Sequence, residues 1–228
     1  MLRVALISLA LVAVGPAATR FGWTRFPVGL AMVALGSVMA AIVVAGVALA
    51  AWRGGAWTSG LAPLLVGLVA LAVPLSQVLS AGMPPSIHDI STDTGDPPAF
   101  AAVLPLRGPD ASTPDYDGPD TAAMQRKAYP DIVPLVLAME PDAAIARAER
   151  AARALGWTVV ASNPAQGRIE ATATTFWFRF TDDIVVRVRR EGAGSRLDVR
   201  SKSRVGRGDL GANARRIRAF VAEMQRTR

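Results

Sequence analysis

GRIEATATTFWFRFTDDIVVRVRREGAGSRLDVRSKSRVGRGDLGAN, residues 167–213, is the stretch on which the fold turns. Its side chains alternate in character. Arg168, Glu170, Thr172 and Thr174 share one side, and Ile169, Ala171 and Ala173 the other. Ile184, Val186 and Val188 oppose Arg187 and Arg189; Leu197 and Val199 oppose Arg196, Asp198, Arg200 and Lys202. A period of two predicts strands over 167–174, 183–190 and 195–203, in an antiparallel sheet with one buried face. Glu191-Gly192-Ala193-Gly194 reads as a hairpin turn. Phe176-Trp177-Phe178-Arg179-Phe180 interrupts the alternation and reads as packing rather than as a recognition box. Asp182 and Asp183 are adjacent, so on a strand they would point to opposite faces. They read as a turn with one carboxylate paired to an arginine.

Helical spacing appears on both sides of this stretch. Leu210, Ala214, Ile217, Val221 and Met224 form the seam of a terminal helix. Upstream, Pro141 suits a first helical turn, with Glu140 and Asp142 beside its positive end. Ile145, Ala148, Ala152 and Leu155 form the buried stripe of that helix, Gly156 ends it, and Trp157–Ala161 is a short strand. The expected domain, residues 85–228, is a two-layer α+β fold: a four-stranded, mainly antiparallel sheet with two helices on one face. The other face is then polar and basic. It is either an anion-binding surface or a solvated face of cross-strand ion pairs.

Charge divides the chain further upstream. No Asp or Glu precedes Asp89, and of the 25 basic residues only Arg3, Arg20, Arg25 and Arg53 lie before residue 85. Apolar runs at about 2–18, 27–51 and 61–81 approach or meet the ~20 residues needed to cross a bilayer. The first 84 residues therefore read as a membrane anchor of three transmembrane helices. The first run also reads as a signal peptide, with Arg3 as its basic start and Gly15-Pro16-Ala17-Ala18 as its small-residue end. Either reading puts the α+β domain on the external, periplasmic side of an inner (cytoplasmic) membrane. Phe21, Trp23, Phe26, Trp52 and Trp57 flank the runs as interfacial anchors. Gly29, Gly36 and Gly46 mark a helix contact face or plain membrane composition. No charge lies within the second and third runs, which argues against a transport path.

The net charge of +7 leaves an excess of only three bases beyond residue 84, which makes nucleic acid an unlikely partner. Lysine occurs only at 127 and 202, an arginine bias that fits a GC-rich genome. With no cysteine, disulfides, thiol nucleophiles and cysteine metal sites are excluded. Gly82-Met83-Pro84-Pro85 ends the third run. Pro105–Thr121 reads as a loop, and Leu135–Leu137 as a buried extended segment.

Candidate chemistry is sparse. His88, the single histidine, lies beside Asp89, near Asp93 and Asp96. It reads as a general base, as part of a hard-cation site, or as a surface strand with Asx turns. Gly206-Arg207-Gly208-Asp209-Leu210-Gly211 has dinucleotide-loop spacing, but helix follows it rather than a further strand with an acid. What remains there is an anion held by Arg204, Arg207 and helix amides, or Asp209 as a simple cap.

Together, Ile87-His88-Asp89-Ile90-Ser91-Thr92-Asp93, Ala128–Ile132, Gly167–Thr172, Asp182-Asp183, Ser203–Gly206 and Asp209–Asn213 resemble the domain-of-unknown-function family 1499, over about residues 85–225. The resemblance implies an exported or membrane-attached protein of bacterial or plastid type, and no established reaction. The expectation is a membrane-anchored, non-catalytic cell-envelope protein whose domain binds an anionic ligand or an envelope protein, with membrane lipid around its helices. Candidate binding residues are His88, Asp89, Asp93, Arg168, Glu170, Asp182, Asp183, Arg187, Arg200, Arg204, Arg207 and Asn213. No metal or cofactor is expected. The rival reading is an envelope hydrolase with His88 as base near Asp182, Asp183 or Glu170.

Overall fold

A computed structural model describes residues 1–54, 57–81 and 84–226. It divides into two units: Met1–Gly82 with Phe176–Arg179, and Met83–Thr175 with Phe180–Arg228. Gly82 and Met83, expected to end the third helix, and the Trp57 side chain lie outside the described residues.

The first unit holds α1 (Leu2–Arg20), α2 (Phe26–Trp52) and α3 (Trp57–Ala81). Each contains a segment long and apolar enough to cross a membrane. Their packing is the inverse of a water-soluble bundle. Gly29, Gly36, Ala40, Val43 and Val47 of α2 are buried, whereas Leu35, Val38, Ile42, Leu65 and Val69 point outward. Lipid is as apolar as Leu, so such helices gain by close backbone approach rather than by hiding large side chains. A methyl group added at Gly36 would lie 2.7 Å from the Ser8 carbonyl oxygen, and one at Gly15 2.6 Å from that of Gly29. The small residues therefore form the α1–α2 contact face.

The second unit is an antiparallel sheet of six strands, not four. They are β1 (Asp89–Ser91), β2 (Leu135–Leu137), β3 (Thr158–Asn163), β4 (Arg168–Thr174), β5 (Thr181–Glu191) and β6 (Gly194–Ser203). The order is β1-β6-β5-β4-β3, and β2 also pairs with β6. Asp182 and Asp183 are strand residues, paired with Ser203 and Lys202 across β5–β6, rather than a turn. The β5–β6 turn is Gly192-Ala193, with φ of 58° at its first position, where such hairpins favour glycine.

Helices α5 (Pro141–Ala154) and α6 (Ala212–Gln225) cover one face. Ile145, Ala148, Ile169, Ile184, Val186, Leu197, Val199, Ile217, Phe220 and Met224 form the core. Each fully buried aliphatic side chain there contributes about 1.5–3 kcal/mol. Helix α5 ends in a Schellman arrangement: the Trp157 amide donates to Ala152 O and the Gly156 amide to Arg153 O, with Gly156 at φ 75°. That turn delivers Trp157 onto Phe220, centroids 5.0 Å apart. In α6 Phe220 is fully buried where Val221 is only partly so, and Leu210 stands outside the helix, exposed.

The connector is more ordered than its turn-forming composition predicts. Its loop yields to α4 (Gly118–Ala128), with proline in the first turn. Gln125 of α4 accepts from the Ser91 amide (3.0 Å) and donates to the Ser91 carbonyl (2.6 Å), closing the free edge of β1. Residues 98–106 lie over the second sheet face. Phe100 and Val103 pack on Val185, and the Ala101 and Val103 amides donate to the Glu170 carboxylate. The second face is therefore covered.

Candidate functional site

The alternation of β4, β5 and β6 places Arg168, Glu170, Asp183, Arg187, Arg189, Arg196, Asp198, Arg200 and Lys202 beneath the connector. They form three ion clusters rather than one open basic surface.

Asp198 is fully buried and is shared by Arg187 (3.0 Å), Arg189 (3.0 Å) and Arg196 (3.0 Å). Asp93 joins from the connector, 2.7 Å from Arg196. Burial alone would raise the Asp93 carboxyl, but the Asp96 and Gly95 amides and the charges of Arg196 and Arg187 outweigh it and hold the group below its ordinary value.

The second cluster centres on Asp89, also fully buried. Arg200 grips it in bidentate fashion, Nε–Oδ1 and Nη2–Oδ2 both 2.8 Å. Lys202, fully buried as well, lies 3.3 Å from Asp89 and 2.5 Å from Asp117, and donates to the Asp115 carbonyl. The remaining Arg200 donors reach the Pro98 and Pro114 carbonyls, with its guanidinium between the Phe100 and Tyr116 rings. Burial, and then the Asp89 charge, push the Tyr116 hydroxyl up to about 12.

In the third, Asp183 accepts from Arg107 and from Arg204 (2.7 Å), and Arg204 also donates to Leu106 O. Nearby, Glu170 accepts from Arg168 (2.8 Å) and the connector amides. Burial would raise Glu170; the Ala101, Ala102 and Val103 amides and Arg168 reverse it and lower the carboxyl.

Asp182 points to the opposite, helix-covered face and meets Arg216 at 2.5 Å. There burial wins and the carboxyl is raised despite Arg216. Asn213, buried in α6, donates to His88 O (3.0 Å) and Ser203 Oγ (2.9 Å) and accepts from Ser201, tying the helix to β1 and β6. The amides at the start of α6 are already engaged: Asp209 accepts from Gly211 (2.7 Å) and Asn213 (2.6 Å). Of the arginines singled out from sequence, Arg207 alone is exposed and in no ion pair among the described residues.

His88 is brought to Asp117, not to Glu170, Asp182 or Asp183. Its Nε2 lies 3.8 Å from Asp117 Oδ2 and is buried without a hydrogen-bond partner. Among the described residues, no three His, Asp or Glu side chains are grouped to hold a metal ion.

Arg107, Asp117, Gln125, Asp198, Lys202 and Arg216 carry the network but were not singled out from sequence. Asp198 and Lys202 could have been, since they share the alternation of Arg196 and Arg200. Arg107 and Asp117 sit in aperiodic chain with nothing local to mark them.

Residues 89–224 match the model of a family described as a protein of unknown function (DUF1499). The match spans more than half of the chain, and the protein belongs to that family. No curated protein matches it.

Proposed function

We propose that this is a multi-pass protein of the cell envelope, anchored in the inner membrane by α1–α3, whose α+β domain binds an anionic ligand or an envelope protein without catalysing a reaction. The domain is read as lying on the external side. The observation that carries this reading is the saturation of the charged layer. Arg168, Arg187, Arg200 and Arg204 are each committed to internal carboxylates and carbonyls. A carboxylate held by several donors is a poor general base, and a fork already filled is a poor anion receptor. Binding then falls to groups left outside the network, with Arg207 the foremost.

The test is affinity capture from solubilised envelope by the immobilised full-length chain, wild type against Arg207→Ala, with the retained material identified by mass spectrometry. Retention lost in Arg207→Ala supports the reading; equal retention by both contradicts it. Arg204→Ala is a stability variant, since it leaves Asp183 short of a partner.

One observation favours the hydrolase as the second reading: the unpartnered His88 Nε2 facing Asp117. An ester-hydrolysis screen that is positive for wild type and silent for His88→Gln, with folding intact, would move the assignment there.

A further inference from the structure

The sheet has two margins, and the chain treats them differently. On one side β1 and β2, three residues each, lie along β6; Gln125 closes β1, and Pro134 stands directly before β2. Short strands, proline and a covering side chain all keep a margin from recruiting another chain. The other side is β3, Thr158-Val159-Val160-Ala161-Ser162-Asn163, with no charge and no proline in its six residues. Among the described residues β3 pairs with β4 alone, and no other backbone hydrogen bond involves it. Its register shifts between Val159 and Ala161, and Val160 packs on the cluster of Phe100, Val103 and Val185. That bulge bends the margin without closing it.

What flanks this margin decides what fits it. After the turn at Gly156 the strand runs back along α5, and Ser162 Oγ donates to Glu149 Oε2 (2.7 Å). Arg153 is one helical turn further on, about 6 Å nearer the Thr158 end. It bonds Glu149 at 2.7 Å, with 60% of its side chain exposed. Along the margin an acid therefore stands beside Ser162 and a base about two strand residues away, toward Val160. A second β3 laid antiparallel about a two-fold axis reverses that order. Glu149 of each copy then comes level with Arg153 of the other. The axis falls midway, at about Ala161, which faces its own counterpart.

We infer that β3 is an interface for a second copy of this chain: two β3 strands pair antiparallel about an axis near Ala161, joining two sheets into one, with Glu149–Arg153 pairs across the joint. The main-chain hydrogen bonds supply the affinity. Exposed ion pairs are worth little by themselves, and here they fix the register. An unrelated strand would have to bring a matched acid and base of its own. Such pairing needs neither Arg207 nor a membrane.

Because the chain has no cysteine, single-cysteine crosslinking needs no background removal. Full-length Ala161→Cys is purified in detergent and oxidised with copper phenanthroline, beside Ala193→Cys in the exposed β5–β6 turn. Residues opposed in an antiparallel pair have Cα atoms about 4.5–5.5 Å apart, within disulfide reach. Ala161→Cys should form covalent dimer several-fold more than Ala193→Cys, and light scattering of the wild type should give the mass of two chains. In the Ala161→Cys background, Glu149→Arg and Arg153→Glu should each lower the crosslink several-fold, since each sets like charges across the axis. The two together should restore it, with circular dichroism showing every variant folded. A monomeric wild type, an Ala161 crosslink no stronger than that at Ala193, or one indifferent to the charge reversals overturns the pairing. So does a dimer that Ala161 fails to link, or an Ala161 link to a different protein when oxidation precedes solubilisation.

Discussion

Asp89 sits where charged groups and two aromatic rings meet; its carboxylate accepts from Arg200 and is ion-paired with Lys202 at 3.3 Å. Lys202 keeps Asp117 as a second carboxylate, but among the described residues Arg200 is ion-paired with Asp89 alone, and a buried guanidinium is tolerable only while that acid is present. Asp89→Ala should therefore cost about 3–5 kcal/mol, read from unfolding of the full chain in detergent. The pair Asp89→Leu with Arg200→Met should cost less than Asp89→Ala, because no arginine is then stranded in the cluster. A double variant less stable than the single one would contradict this. Glu170 supplies the pH dependence. Its folded carboxyl is lowered, so the stability it contributes is present above its ordinary value near 4 and fades as pH falls through the folded value. Glu170→Gln should destabilise the domain at neutral pH, and its difference from wild type should shrink as pH falls through the folded carboxyl's lowered value. Asp182, whose carboxyl is raised, has the opposite sign: its charged form costs stability at neutral pH. At this scale the alternation told which face each arginine takes. It could not tell what lies over that face, because the partners are remote: Asp93 reaches Arg196 from 103 positions away, and Asp89 reaches Arg200 from 111.

Elements were legible in proportion to their length and periodicity. β4, β5 and β6 fall within about two residues of the spans their alternation predicts, because seven to eleven residues of period two admit one register. β1 and β2 are three residues each, too short to show a period, and they join the sheet only through β6. Helix α4 was hidden by Gly118-Pro119-Asp120, which is turn chemistry and equally a helix start. Its Gln125 is a local test. Gln125→Ala strips the Ser91 amide and carbonyl of their partners and should cost about 1–3 kcal/mol, whereas Met124→Ala on the exposed side should change little. In the first unit the decisive face is the glycine stripe of α2. Gly36→Leu should force α1 away and lower the thermal stability of the detergent-solubilised chain, while Val38→Leu, on the outward side, should leave it unchanged. Equal effects of the two would contradict the packing described.

On the scale of the whole molecule, composition alone separated an acid-free, apolar stretch ahead of Asp89 from a charged remainder. The role of the charge in that remainder was not legible. A run of arginines on one sheet face looks the same whether it awaits an anion or is filled from above by the chain's own acids. The central claim is that the charged layer is internal architecture and that binding is left to groups outside it, Arg207 foremost. Arginine modification by phenylglyoxal under native conditions, mapped by mass spectrometry, tests it most directly. Arg179 and Arg207 should be modified early, and Arg200 and Arg204 only after unfolding. Modification of Arg200 and Arg204 as fast as Arg207 would contradict the account, for it would mean that the layer stands open to ligand.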